Sequence, residues 1–136
     1  MHRLLDYPAL AEDYGRFHTT RGNRLTHAVG IPLIMLAIVR WTQIGSVVPW
    51  AAAVLLLYFA WSARLALAMT LVLAVMAALA ARLPVWAAPA AFVLGWAFQL
   101  IGHAVYEKKS PAFAKNLIHV LVGPMWVLNE VLSCKP

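Results

Sequence analysis

Acidic residues are scarce in this chain, cysteine occurs once and no glycine-rich loop is present, and each shortage removes a class of function. Cys134 stands alone, so neither an intramolecular disulfide nor a thiolate metal site can form. The glycines are isolated, which removes the phosphate-cradling loops of nucleotide-binding proteins. Ser62 and Ser110 have no histidine and aspartate at telling positions, so nucleophilic catalysis by serine has no support. Internal repeats and low-complexity linkers are missing too. The first 27 residues carry Arg3, Asp6, Glu12, Asp13, Arg16, Arg21 and Arg24 and lack a signal peptide's continuous apolar core. The N-terminus is therefore expected to stay in the mature protein.

What the chain has in abundance is apolar sequence. Hydrophobic residues make up 63% of its 136 positions and charged residues 12%, against roughly 45–50% and about 25% in globular domains. The apolar residues fall in five blocks, at 28–39, 47–61, 65–81, 85–105 and 117–132. Only 85–105 reaches the roughly 20 residues that cross a bilayer core. The first block spans only if neighbours such as Leu25 or Ile44 join it, and the fifth is short and holds His119, Pro124, Asn129 and Glu130. The pattern predicts an all-α, multi-pass transmembrane bundle of four or five apolar helices, forming one membrane domain over residues 1–136.

Residues 1–22 read differently, as an amphipathic interfacial helix. Pro8 suits its first turn, with Asp6 or Tyr7 as the entry residue. Ala11, Tyr14 and His18 mark its inward face, widened by Leu10 and Phe17. Gly22 is the expected C-cap, and Asn23 the expected N-cap of the helix that opens the bundle at 23–136.

The net charge of +6 raises nucleic acid as a partner. The eleven basic residues, however, sit at the edges of apolar blocks and form no basic face, so nucleic acid is not expected. They behave as topology signals. If residues 1–27 are cytoplasmic and the first four blocks cross, eight basic residues fall on that side, from Arg3 and Arg16 to Lys109 and Lys115. Arg40, Arg82 and Lys135 fall on the other. The same arrangement puts His18, His27, His103, Glu107 and His119 at one membrane face. The tryptophans, Trp41, Trp50, Trp61, Trp86, Trp96 and Trp126, read as interface anchors and packing.

Within block 85–105, Gln99 and His103 are followed by Glu107 at four-residue intervals, so on a helix all three project from one side. Polar groups in an apolar segment are costly and are paired, water-lined or hold an ion. Two readings stay open for these residues: a metal-ready row, or a packing hydrogen bond between His103 and a neighbour. Leaving aside terminal His2, the four histidines His18, His27, His103 and His119 would make a nitrogen-rich site suited to iron, zinc or copper. Asn23, Gln99, Asn116 and Glu107 lie about one turn from a histidine and could orient ring nitrogens.

Two stretches carry a resemblance. The first is Tyr14-x3-His18-x4-Asn23-Arg24-x2-His27-x2-Gly30-Ile31-Pro32. The second is Trp96-x2-Gln99-x2-Gly102-His103-x3-Glu107-x3-Pro111, then Asn116-x2-His119-x3-Gly123-Pro124 and Glu130. Together they cover roughly half the chain and are similar to the signatures of a family of small membrane dioxygenases acting on 2-hydroxy fatty acids, whose fungal member works in phytosphingosine degradation. The resemblance implies an iron(II) (Fe2+) enzyme of a bacterial inner membrane, or of the endoplasmic reticulum if eukaryotic. Carried onto this sequence, it makes His18, His27, His103 and His119 the metal ligands. Glu107, Asn23, Gln99 and Tyr106 become candidates for catalysis or for support of the ligands.

The expected reaction is α-oxidation of a long-chain 2-hydroxy acid by dioxygen to the acid one carbon shorter, with the acyl tail among the helices. Arg21, Arg24, Lys108 or Lys109 would attract the substrate carboxylate from the cytoplasmic side. Two alternatives remain: a non-enzymatic membrane scaffold or lipid-binding protein, and a histidine-ligated zinc lipid hydrolase.

Overall fold

A computed structural model describes residues 2–44 and 48–133; Cys134 and Lys135 lie outside the described residues, as do the side chains of His2, Arg3 and Trp50. Among the described residues there is no strand. Seven α-helices follow one another: α1 (His2–Leu5), α2 (Tyr7–Gly15), α3 (Arg21–Ile44), α4 (Val48–Trp61), α5 (Ala63–Ala80), α6 (Ala87–Ile101) and α7 (His119–Ser133). A π-helical turn (Gly102–Glu107) continues α6, and a 3-10 turn (Ala112–Ala114) precedes α7.

The N-terminal region is not one helix. Asp6 breaks it and caps α2, its Oδ1 accepting from the Ala9 amide at 3.2 Å with Pro8 in the first turn. α2 ends at Gly15, well before Gly22. Thr20 rather than Asn23 starts α3, because its hydroxyl accepts from the Asn23 amide at 3.3 Å. Gly22 and Asn23 therefore lie inside the first turn of α3.

That shift solves the problem of the short first apolar block. Residues 21–27 and 40–44 join it, and the 24-residue α3 rises about 36 Å, enough to cross a bilayer. Pro32 sits inside it, as membrane helices allow when neighbours satisfy the freed carbonyl. α5 and the continuous helix Ala87–Glu107 are also long and apolar enough to span. α4 is shorter, with 14 residues. A single residue separates it from α5: Ser62 adopts an extended conformation, and its hydroxyl accepts from the Leu65 amide at 3.4 Å.

The pairing of α3 with α6 positions the site. Gly30 and Gly95 meet where the helices cross, and a Cβ added to either would sit 2.7 Å from the other's carbonyl oxygen. Small residues let two membrane helices come this close. The contact sets His27, one turn before Gly30, against the side of α6 that carries Gln99 and that continues into the π turn with His103.

α2 closes the same end of the bundle. Tyr7, Leu10 and Tyr14 are buried. Tyr7 stacks on Trp61 at 5.7 Å, and Tyr14 packs against Trp126 of α7 at 5.4 Å. Trp61 and Trp126 are core residues, and the Trp61 Nε1–H donates to the Leu4 carbonyl at 2.8 Å. Trp86, by contrast, is largely exposed.

Candidate metal centre

Three histidines from three separate segments converge. His18 lies in the loop after α2, His27 on α3 and His103 in the π turn after α6. One ring nitrogen from each lies within 4.8 Å of the others, and all three residues are buried. The rings meet edge to face, with centroids 4.3 Å apart for His18 and His27 and 4.9 Å for each of the other two pairs.

Hydrogen bonds fix which nitrogen each ring presents. His18 Nδ1–H donates to the Tyr14 carbonyl at 2.7 Å, and His27 Nδ1–H donates to the Asn23 carbonyl at 2.9 Å. Each bond leaves Nε2 as a bare lone pair, the tautomer that binds a metal. His18 Nε2 and His103 Nδ1 are buried without a hydrogen-bond partner. Such orphaned nitrogens cost free energy unless something accepts their lone pairs. Burial pushes the His18 imidazole down to about 4, which keeps it uncharged at neutral pH. The donor set therefore fits a divalent transition metal held by imidazoles.

His119 stands apart from this trio. Its Nδ1–H donates to the Ala112 carbonyl at 3.1 Å, and it meets Tyr14 edge-on with centroids 5.9 Å apart. Its Nε2 lies 3.1 Å from Asp13 Oδ2, but out of line for a hydrogen bond, so the nitrogen is unpartnered. Asp13 in turn borders a second cavity of about 380 Å³ shared with Leu4, Asp6, Leu10 and Asn116. Nothing in the sequence spacing pointed to Asp13, which is 106 residues from His119.

Glu107 is a clamp. Its carboxylate accepts from the Thr19 amide at 3.0 Å, the Thr20 amide at 3.1 Å, both threonine hydroxyls, and Asn23 Nδ2 at 3.2 Å. Five donors occupy its lone pairs and lock the turn between His18 and α3. The π turn makes this possible: it widens the helix below His103 and ends at Lys108, whose φ of 54° reverses the chain. In the sequence Thr19 and Thr20 read only as the end of the first helix, and nothing in their spacing points to Glu107, 88 residues on from Thr19.

The other candidates divide. Gln99 is buried one turn before His103 and lines the main cavity. Asn116 is exposed and accepts from the Ile118 amide at 3.2 Å, starting α7. Tyr106 is half exposed and lays its ring over Gly22. Arg24 is engaged: its Nε donates to the His18 carbonyl at 2.8 Å and its Nη1 pairs with Glu130 at 3.2 Å. Arg21, Lys108 and Lys109 are exposed, and none of the four basic candidates lines the cavity.

That cavity, of about 440 Å³, opens directly from the histidines. His18, His27, His103 and His119 are among its lining residues, and mostly apolar side chains of α3, α4, α5, α6 and α7 supply the rest. A polar, metal-ready cluster thus adjoins a mostly apolar chamber.

Residues 64–135, just over half of the chain, match the family described as "2-hydroxy-palmitic acid dioxygenase Mpo1-like". The 2-hydroxy-palmitic acid dioxygenase MPO1 of Saccharomyces cerevisiae is 45% identical over 42 residues, which is 30% of this chain and 24% of the yeast protein. No solved structure matches. The match to the yeast protein spans about a quarter of its length, whereas the family match takes in His103, Glu107 and His119. On that match the chain belongs to the Mpo1-like family of 2-hydroxy-palmitic acid dioxygenases.

Proposed function

We propose that this chain is an iron(II)-dependent dioxygenase, embedded in a bilayer, that converts long-chain 2-hydroxy fatty acids to the acid one carbon shorter. The observation that carries the reading is the junction of three converging imidazoles, two of them with an unpartnered buried nitrogen, with a mostly apolar cavity. Family membership supports the same chemistry.

His18, His27 and His103 hold the metal, with the first two rings aimed by their bonds to the Tyr14 and Asn23 carbonyls. Iron(II) bound there would supply the electron-transfer chemistry that lets dioxygen react with an otherwise inert acid. The balance needs no further reductant: 2-hydroxy acid and dioxygen give the shorter acid, carbon dioxide and water.

The remaining residues hold substrate and protons. The apolar cavity takes the acyl tail and keeps bulk water from the head. His119 accepts the proton of the 2-hydroxyl at Nε2, since its Nδ1–H is already committed to Ala112. Asp13, half exposed and with Oδ2 3.1 Å from that nitrogen, stabilises the imidazolium that forms by its negative charge. Arg21, Lys108 and Lys109 draw the anionic head towards this face by long-range attraction and make no contact with it in the cavity. The positive-inside bias puts this face towards the cytoplasm, in a bacterial inner membrane or, in a eukaryote, the endoplasmic reticulum.

Anaerobic purification, metal quantification and oxygen uptake with 2-hydroxypalmitate test the reading. Stoichiometric iron with one carbon dioxide released per dioxygen consumed is expected. Protein that holds zinc, or that carries iron but consumes no oxygen with this acid, overturns it.

A further inference from the structure

Among the described residues the lining of the cavity has a direction. On α3 its lining runs from His27 through Ile31, Met35 and Ile38 to Thr42, a stripe at helical spacing. Tyr58 of α4 marks the histidine end, because its hydroxyl donates to the Leu121 carbonyl of α7 at 2.9 Å. From there α4 contributes Val54 and then Ala51, while α5 contributes Met69, Leu73 and then Ala77. Among the described residues, Thr42, Ala51 and Ala77 are thus the lining residues farthest from the three histidines on their three helices.

A cross-link fixes that far end. Gln43 Nε2–H donates to the Ala77 carbonyl at 2.7 Å, tying α3 to α5 one residue beyond Thr42. The rise of an α-helix from His27 to Thr42 is about 22 Å. A saturated chain advances about 1.3 Å per carbon, from the length and angle of its bonds, so a tail of about sixteen carbons matches the distance. Thr42 and Ala77 are both small, and each extra methylene on either would fall where the tail ends.

We propose that Thr42 and Ala77 are specificity-determining residues, the end wall of a ruler that selects 2-hydroxy acids of about sixteen carbons. The inference rests on the acyl-chain reading of the cavity, and it sets a length limit at named positions. Ala77→Phe fills the end wall and shortens the preferred chain. Thr42→Leu fills it from the facing helix and shortens it by less. Ala78→Phe is the control, because Ala78 is exposed on the neighbouring face of α5.

The experiment has two readouts on protein in lipid nanodiscs. Saturated acids of ten to twenty carbons without a 2-hydroxyl compete with a fluorescent fatty acid for the metal-free protein, and the 2-hydroxy acids of the same lengths are assayed for kcat/KM on the iron-loaded protein. The parent chain is expected to peak near sixteen carbons in both. Ala77→Phe should lower the sixteen-to-twelve ratio by about tenfold or more, the discrimination that one or two methylenes provide in an apolar pocket. Ala78→Phe should leave the ratio unchanged. If Ala77→Phe does not fold, Thr42→Leu carries the test with a smaller shift of the same sign. A flat length profile, or an equal shift from Ala78→Phe, overturns the ruler. Length-selective binding without oxygen consumption keeps the ruler and removes the dioxygenase reading; turnover with no length preference does the reverse.

Discussion

Asn23 joins Glu107 to His27. Its Nδ2–H donates to Glu107 Oε2 at 3.2 Å, and its backbone oxygen accepts from His27 Nδ1–H at 2.9 Å. The same carboxylate holds the amides of Thr19 and Thr20, the two residues after His18. His103 lies one turn earlier on the segment that carries Glu107. One buried carboxylate therefore braces all three converging histidines.

Glu107→Gln should accordingly weaken metal binding and leave the helices intact. The amide brings an N–H2 group against donors that all need an acceptor, so the Thr19–Thr20 turn loses half its anchors. Loss of such a supporting group costs about 10–100-fold in metal affinity. Titration against a chelator of known affinity, with circular dichroism as the control, measures it. Unchanged affinity would mean that the turn holds His18 unaided.

The histidines should separate into two classes. His18→Ala, His27→Ala and His103→Ala each remove one of three converging nitrogens and should abolish stoichiometric metal. His119→Ala should keep the metal and lose most turnover, because His119 lies outside the trio and faces Asp13. Removing a general acid or base typically costs about 10²–10⁴-fold in rate. Metal content and oxygen uptake on the same preparations check both halves, and loss of metal in His119→Ala would make it a fourth ligand.

The helix crossing should be intolerant of growth. A Cβ at Gly30 would meet the Gly95 carbonyl oxygen at 2.7 Å and Gln99 Nε2 at 2.8 Å. Backbone cannot yield as a flexible side-chain tip can, so Gly30→Ala should destabilise by about 1–3 kcal/mol. It should also move His27 away from His103. Thermal unfolding in detergent and chelator titration read the two effects, and an unaltered melting temperature would show that α3 and α6 have room to part.

Much of this was legible in the sequence and some was not, for identifiable reasons. The apolar blocks at 65–81 and 85–105 became membrane-length helices because hydropathy alone dictates them. The four-residue spacing from Gln99 to Glu107 placed its residues on one side, although a π turn intervenes. The start of α3 was misplaced because Thr20, Gly22 and Asn23 are all plausible boundary residues, and only the buried Glu107 carboxylate decides among them. Asp13 beside His119 and the clamp on Thr19 and Thr20 depend on how α2 and the loop after it fold back on the bundle. No periodicity within one segment encodes that packing.

The Glu107 clamp also constrains topology. Thr19 and Thr20 hydrogen-bond directly to the end of the α6 segment, so Arg21 and Lys109 must share one side of the membrane whatever the number of crossings between them. On the bias of basic residues, that side is expected to be the cytoplasmic one. In a Cys134→Ser background, cysteines introduced at Arg21 and at Lys109 should both react with an impermeant maleimide only when the cytoplasmic face is open. A third, at Arg82 in the turn after α5, should react from the opposite side, since α5 is long enough to cross. Labelling of Arg21 and Lys109 from opposite faces would break the clamp as well as the topology, and it would remove the contact that brings His18 to His103.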